Sequence, residues 1–262
     1  MLAMIAGQGA LPGIIANAAP DLALVASLDG FDPDTVSTAH RFRIEHLGSF
    51  LNDLTDKGIT DVVFAGSLRR PPLDPAKVDA STMPLVPRMM TALQQGDDAA
   101  LCLVLTFFEE AGFKIKAAHE IEPRLLPKSG ILTTAKPTDQ HKHDAARAAK
   151  SLTAIGASDI GQACVVKNGQ VLCVEGSFGT DWMLDSLRNR PDEQGGVFYK
   201  APKPEQDRRI DLPAIGPETL ENVAKAGLDG VVIEAGGVMV LDLDAALAKA
   251  EARGLFLWVR AR

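Results

Sequence analysis

Asn168 and Gly169 sit between two apolar runs, in QACVVKNGQVLCVEG, and no other short stretch of this chain restricts the fold as tightly. A two-residue type I′ turn needs φ > 0 at both central positions, which Asn and Gly tolerate, and it fixes the pairing of the strands it joins. An uninterrupted hairpin then sets Val166 against Val171 and Cys164 against Cys173 on one sheet face. Thiols opposed in this way make a strained disulfide, and a reducing compartment keeps them apart, so both cysteines are expected reduced. A helix over 141–155 precedes the hairpin, and one over 182–190 follows it, with Thr180 or Asp181 as its cap or as a phosphate contact. Beyond lie a helix over 217–226, a strand over 230–234, a turn at 235–237, a strand over 238–241, a helix over 242–253 and a strand over 255–259. Hairpin and helices together make this half α+β.

The first half has another rhythm. Residues 1–6, MLAMIA, form an apolar run with the look of a buried strand; GQGALPG and an apolar helical stretch follow. Strands are expected over 22–27, 41–46, 60–66 and 114–118, with helices over 47–57, 85–95 and 98–112 between them. Strand–helix alternation of this kind makes a parallel α/β sheet, so the N-terminal half reads as Rossmann-like. In such sheets ligands bind beyond the carboxyl ends of the strands. Two turns there stand out: Gly9, Ala10 and Leu11 after the first strand, and Gly66, Ser67 and Arg69, with Arg70, after the strand over 60–66. Glycines before a helix are either a plain β–α turn or a backbone cradle for phosphate or carbonyl oxygens. Arginines at a strand end are either solvated or phosphate clamps. Gly7, Gly9 and Asp29 match part of a dinucleotide fingerprint, but Pro12 occupies the third glycine position. Asp97 and Asp98 are helix caps or metal ligands. Prolines 123, 127 and 137 with Gly130 mark a boundary, giving domains over 1–126 and 141–262 with a linker over 127–140.

Bulk composition narrows the function classes. A net charge of −7 and an aromatic content of 5% argue against nucleic acid, whose binding rests on phosphate neutralisation and base stacking. The longest apolar run, near 101–105, falls well short of the ~20 residues of a membrane span. The N-terminus lacks the basic region of a signal peptide, so a cytoplasmic protein is expected. Three scattered cysteines fit no metal cluster. Peripheral contact with a membrane and a homo-oligomer are compatible with all of this.

One stretch concentrates charge. Residues 195–216, GGVFYKAPKPEQDRRIDLPAIG, place Lys200, Lys203, Arg208 and Arg209 around carboxylates, with prolines 202, 204 and 213 excluding a continuous helix. Such a loop is either a solvated connector or a fixed array for a phosphorylated ligand and a metal ion. His141 and His143 stand two apart on a helix, so they face different sides.

IAGQGALP, FAGSLRRP, QQGDDAALC, GFKIKAAHE, VEGSFGTDWML and KAPKPEQDRRIDLPAIG occur in this order along nearly the whole chain. Together they resemble the I-type UDP-2,3-diacylglucosamine pyrophosphatase family, with Ser67 where the family carries Asn. The resemblance implies Mg²⁺-dependent hydrolysis of UDP-2,3-diacylglucosamine to lipid X and UMP, a step of lipid A biosynthesis at the cytoplasmic face of the inner membrane. It also implies two domains with the product held between them. The family's essential aspartate, in its DLP motif, corresponds to Asp211, as metal ligand or general base. Gly9, Ala10, Leu11, Gly66, Ser67, Arg69, Gly179, Thr180, Asp181, Lys200 and Lys203 are the candidate substrate contacts. Two rivals follow from the residues alone: a nucleotide-cofactor oxidoreductase using Gly7, Gly9 and Asp29, and a non-catalytic module that binds lipid or nucleotide.

Overall fold

Leu2–Ala6 (β1) is buried at all five positions, as a strand covered on both faces must be. The computed structural model describes residues 1–68, 71–95, 97–158, 160–204 and 206–261, without the side chains of Gln95, Asp97 and Asp98. The chain divides into two compact units, Met1–Glu122 and Pro123–Arg262.

In the N-terminal unit β1 is followed by Leu11–Ala18 (α1), Leu22–Leu28 (β2), His40–Phe42 (β3), Leu47–Asp56 (α2), Asp61–Ala65 (β4), Val86–Gln95 (α3), Asp97–Glu110 (α4), Lys114–Lys116 (β5) and Ala118–Ile121 (α5). The five strands form one parallel sheet in the order β3-β2-β1-β4-β5. The Rossmann-like reading is thus borne out, with the order reversing between β1 and β4. Their carboxyl ends are knitted together: Gly7 N–H donates to Ala65 O (2.8 Å), and Gln8 and Ser67 exchange both backbone hydrogen bonds at 2.9 Å. The close approach requires glycine on both sides. A Cβ on Gly7 would lie 2.5 Å from Ser67 O, and one on Gly66, at φ +97°, 2.7 Å from Gln8 O. The strand expected over 41–46 stops at Phe42, and Ile44–His46 is a 3₁₀ turn. The buried carboxylate of Glu45 explains the break, since it accepts from Asp74 N–H (3.1 Å) and pairs with Arg43 (3.3 Å).

The C-terminal unit contains Gly130–Ile131 (β6), Asp139–Gly156 (α6), Ala163–Lys167 (β7), Gln170–Val174 (β8), Gly179–Ser186 (α7), Val197–Lys200 (β9), Ala214–Ile215 (β10), Pro217–Lys225 (α8), Gly230–Glu234 (β11), Met239–Val240 (β12), Leu243–Arg253 (α9) and Phe256–Arg260 (β13). Its six-stranded sheet runs β6-β13-β11-β9-β7-β8. The three central strands β13, β11 and β9 are parallel, and β6, β7 and β8 join as antiparallel flanks. One face packs under α7, α8 and α9, the other under α6.

The turn residues have φ 50° at Asn168 and 77° at Gly169, as a type I′ turn requires. Asp144, buried on α6, accepts both their N–H groups (3.0 and 2.7 Å). The expected cysteine register does not hold. Val166 faces Val171, but a β-bulge then sets Val165 against Cys173 and Cys164 against Val174. Leu172 is the extra residue, and it joins Cys173 on the face covered by α7, α8 and α9, while Cys164 packs toward α6. The two cysteines, both free thiols, therefore serve opposite cores. Met239–Val240 also departs from expectation: it forms no hairpin with β11 but pairs in parallel with β10. The helix expected over 182–190 begins at Gly179 and ends at Ser186; its cap position is Phe178, with no side-chain cap, so neither Thr180 nor Asp181 caps it. His141 is half-buried: its Nδ1 accepts from Thr138 N–H (3.2 Å), so Nε2 carries the proton and donates to Asp229 (3.2 Å).

Candidate active site

The parallel strands of the C-terminal unit end in charged residues. Lys200 closes β9, Glu234 closes β11, and Arg260 closes β13, with Ile233 opposite Lys200 and Glu234 opposite Arg260. Antiparallel β7 brings its first residue, Ala163, opposite Lys200. The bulge carries Val174 to the position opposite Cys164, so Glu175 emerges on the same edge. Carboxyl edges of this kind are where open α/β sheets take their ligands.

Lys200 and Glu175 are 7% and 8% exposed, unusual for an amine and a carboxylate. Lys200 Nζ donates to Thr180 Oγ1 (2.7 Å), the Thr180 hydroxyl donates to Glu175 Oε1, and Nζ lies 3.7 Å from that same oxygen. Glu175 Oε2 accepts the Gln162 N–H (2.8 Å). Burial pulls the Lys200 amine below its ordinary pKa, opposed by the nearby charges of Glu175 and Asp181. Gly179, at φ +80°, opens α7 and so turns Thr180 toward Lys200. Asp181, one residue on, accepts from Asn222 Nδ2 (3.0 Å).

The proline-rich loop leaves the same edge directly after Lys200. Within it Gln206 donates through Nε2 to Asp211 Oδ2, and its Oε1 accepts from Gln162 Nε2 (2.7 Å) and from the Lys203 N–H (3.2 Å). Gln162 thus touches both groups, Glu175 through its backbone and Gln206 through its side chain. The arginines of the loop pair with carboxylates. Arg209 forks onto Asp207 at 2.7–3.2 Å and holds that carboxyl below its ordinary range; Arg208 reaches Glu234 at 3.8 Å. Glu205 lies outside the described residues.

In the N-terminal unit Gly66 and Ser67 meet Gly7 and Gln8, the residues that lead into Gly9, Ala10 and Leu11, at the knitted ends of β1 and β4. Arg69 and Arg70 lie outside the described residues, as do the side chains of Asp97 and Asp98. The Gly9 N–H is held by Asp34 Oδ2 (3.2 Å), and Thr35 bridges Gly9 O (3.2 Å) and Gly13 N–H (3.0 Å). Asp29, the acid expected for a ribose, pairs with Arg43 at 3.3 Å. The same unit holds a cavity of about 490 Å³ with an almost wholly apolar wall, including Leu28, Phe42 and Phe64 from the strands and Met89, Ala92 and Phe107 from α3 and α4.

Sequence reasoning missed Glu175, Gln162 and Gln206. Glu175 and Gln206 stand inside quoted motifs; what singles them out is the burial of Glu175 and the neighbour both share, Gln162, neither visible in one dimension. No cluster of three His, Cys, Asp or Glu side chains among the described residues forms a preformed metal cage. No helix among them is long and apolar enough to cross a membrane.

Comparison with known proteins accounts for both units. Residues 1–125 match the LpxI N-terminal domain and residues 128–258 the LpxI C-terminal domain. A protein of Caulobacter vibrioides described as UDP-2,3-diacylglucosamine pyrophosphatase LpxI is 39% identical over 269 residues, spanning 98% of this chain and 96% of its own length.

Proposed function

The chain belongs to the LpxI family, and from that premise we propose that it hydrolyses the pyrophosphate of UDP-2,3-diacylglucosamine to lipid X and UMP, with Mg²⁺, in lipid A biosynthesis. The observation that carries the reading is the Asp211 carboxylate, held by Gln206 beside a strand edge that buries a lysine. The nucleotide-cofactor alternative loses its support, because Asp34 and Arg43 engage the groups it would use.

Hydrolysis adds water across one P–O–P bond: a water oxygen bonds to phosphorus, and the bridging oxygen leaves with the other phosphate. Two demands follow, ionised oxygens to be screened and a water to be aligned. Lys200 and Lys203 supply positive charge for the first, with Thr180 and the Gly179 turn as hydrogen-bonding contacts and Asp181 holding α7 through Asn222. Asp211 serves the second, holding the ion or accepting the water's proton; either role needs it ionised. Mg²⁺ commonly binds through one or two carboxylates plus substrate phosphates, without an all-protein cage. A single loop carboxylate at Asp211, with no cage around it among the described residues, fits that donor set. When bound, the ion would neutralise phosphate charge.

The acyl chains require apolar space, and the cavity under α3 and α4 lies in the ~300–1,000 Å³ range of ligand pockets. A lipid substrate is met at a membrane surface. Phe178 and Trp182, 75% and 60% exposed with rings 5.2 Å apart, form an exposed aromatic pair suited to peripheral contact. The test is UMP release from UDP-2,3-diacylglucosamine by purified protein with Mg²⁺ or with EDTA. Turnover that stops in EDTA and returns with Mg²⁺ is expected; no UMP at saturating Mg²⁺ would overturn the activity, and full turnover in EDTA would overturn the metal.

A further inference from the structure

We propose that Gln206 is a positioning residue whose amide fixes the Asp211 carboxylate for hydrolysis, an assignment that rests on the role of Asp211 proposed above. The orientation of the amide follows from its partners. The Lys203 backbone N–H can only donate, so the atom it meets at 3.2 Å is the Gln206 oxygen. Gln162 Nε2 donates to that same oxygen at 2.7 Å. The Gln206 NH₂ is therefore turned the other way, onto Asp211 Oδ2, where a carboxylate can only accept.

Two donors on one end lock the rotor, and the other end grips the carboxylate. Gln162 is itself anchored on both sides: its N–H donates to the buried Glu175 (2.8 Å), and its carbonyl accepts the Ala201 N–H (3.0 Å). The carboxylate on the proline-rich loop is thus tied through two glutamines to the end of the sheet. This tether restrains the Asp211 side chain on its loop. Groups that orient a reacting or ligating residue typically change rates by about 10–100-fold when removed, and a small misplacement of a catalytic group has an effect of similar size.

The experiment compares Gln206→Ala and Gln206→Glu with the unmodified chain and with Asp211→Ala, in steady-state UMP release at saturating Mg²⁺, alongside melting temperatures. Gln206→Glu is the informative variant. It keeps an oxygen for Lys203 and Gln162, so the loop retains its tether, and it alters only the face toward Asp211, replacing a donor with a like charge. Both Gln206 variants are expected to lose about 10–100-fold in kcat, with KM within about threefold and melting close to the unmodified chain. Wild-type kcat in Gln206→Glu, with Asp211→Ala inactive, would overturn the positioning role and leave that of Asp211 standing. Full activity in Asp211→Ala would overturn both.

Discussion

The two units carry parallel strands to an edge of the same kind and finish them with opposite chemistry. In the N-terminal unit β1 and β4 end in backbone: Gly7, Gln8, Gly66 and Ser67 close on one another, and Asp34 holds the Gly9 amide. The notable hollow of that unit is apolar. In the C-terminal unit β9, β11 and β13 end in Lys200, Glu234 and Arg260, and the loop that follows carries Asp211. Topology alone would send a phosphate to either edge. The residues at the strand ends differ, and buried charge suits phosphate oxygens whereas a hydrocarbon wall suits an acyl chain.

The comparison breaks first at Asp211. Asp211→Ala is expected to lower UMP release by about 10³-fold or more, with melting little changed. A mere capping role would instead cost about 1 kcal/mol of stability and leave the rate intact, and that result would move the chemistry elsewhere. The matching change in the other unit is Ala92→Trp, which fills part of the apolar cavity. If it displaces two or three methylenes of an acyl chain, at ~0.8 kcal/mol each, kcat/KM for a long-chain substrate falls by about 15- to 60-fold. A short-chain analogue that never reaches the cavity should be processed normally. Equal losses for both substrates would mean that the cavity holds no acyl chain.

The units also differ in how far they were legible in the sequence. Apolar strands ended by glycine are local signals, and β1, β2 and β4 fell within a residue or two of expectation. The Asn168–Gly169 turn was equally legible, and the bulge beside it was not: Leu172 is as apolar as its neighbours, so an inserted residue leaves the hydrophobic pattern unchanged. The pairing of β12 with β10 rests on residues about 25 apart, which no local pattern reports. Asp211 stands out in the sequence as an acid before Leu-Pro. Gln206 and Glu175 do not, because a polar residue in a loop or just past a strand is ordinarily solvated, and only the folded chain brings both onto Gln162.

Lys200 tests the polar edge through pH. Burial lowers its pKa from the ordinary 10.5, so above the lowered value the unfolded chain binds more protons than the folded one. Stability then rises with pH between the lowered folded value and 10.5. Lys200→Met removes the titrating group. The unmodified chain should therefore gain on the variant in urea midpoint as pH rises toward 10.5, and parallel curves would show that Lys200 is not held in a desolvated site.

The smallest effect contrasts the units at their thiols. Cys102, on α4 of the N-terminal unit, is exposed; Cys164 and Cys173 lie in the two cores of the C-terminal sheet. The thiolate is the reactive form. Burial raises the Cys164 thiol to about 12 and the Cys173 thiol to about 11, so at pH 8 their thiolate fractions are about 10⁻⁴ and about 10⁻³. One equivalent of an aromatic disulfide reagent should react within minutes in the native protein, and two more only after unfolding. The bulge sharpens the expectation, since it sends the two side chains to opposite faces and leaves neither thiol a route to the other. Peptide mapping of the modified protein would identify the fast thiol. If the fast thiol were Cys173 instead of Cys102, the edge strand β8 would have to open readily, and the burial of Glu175 at its end would open with it.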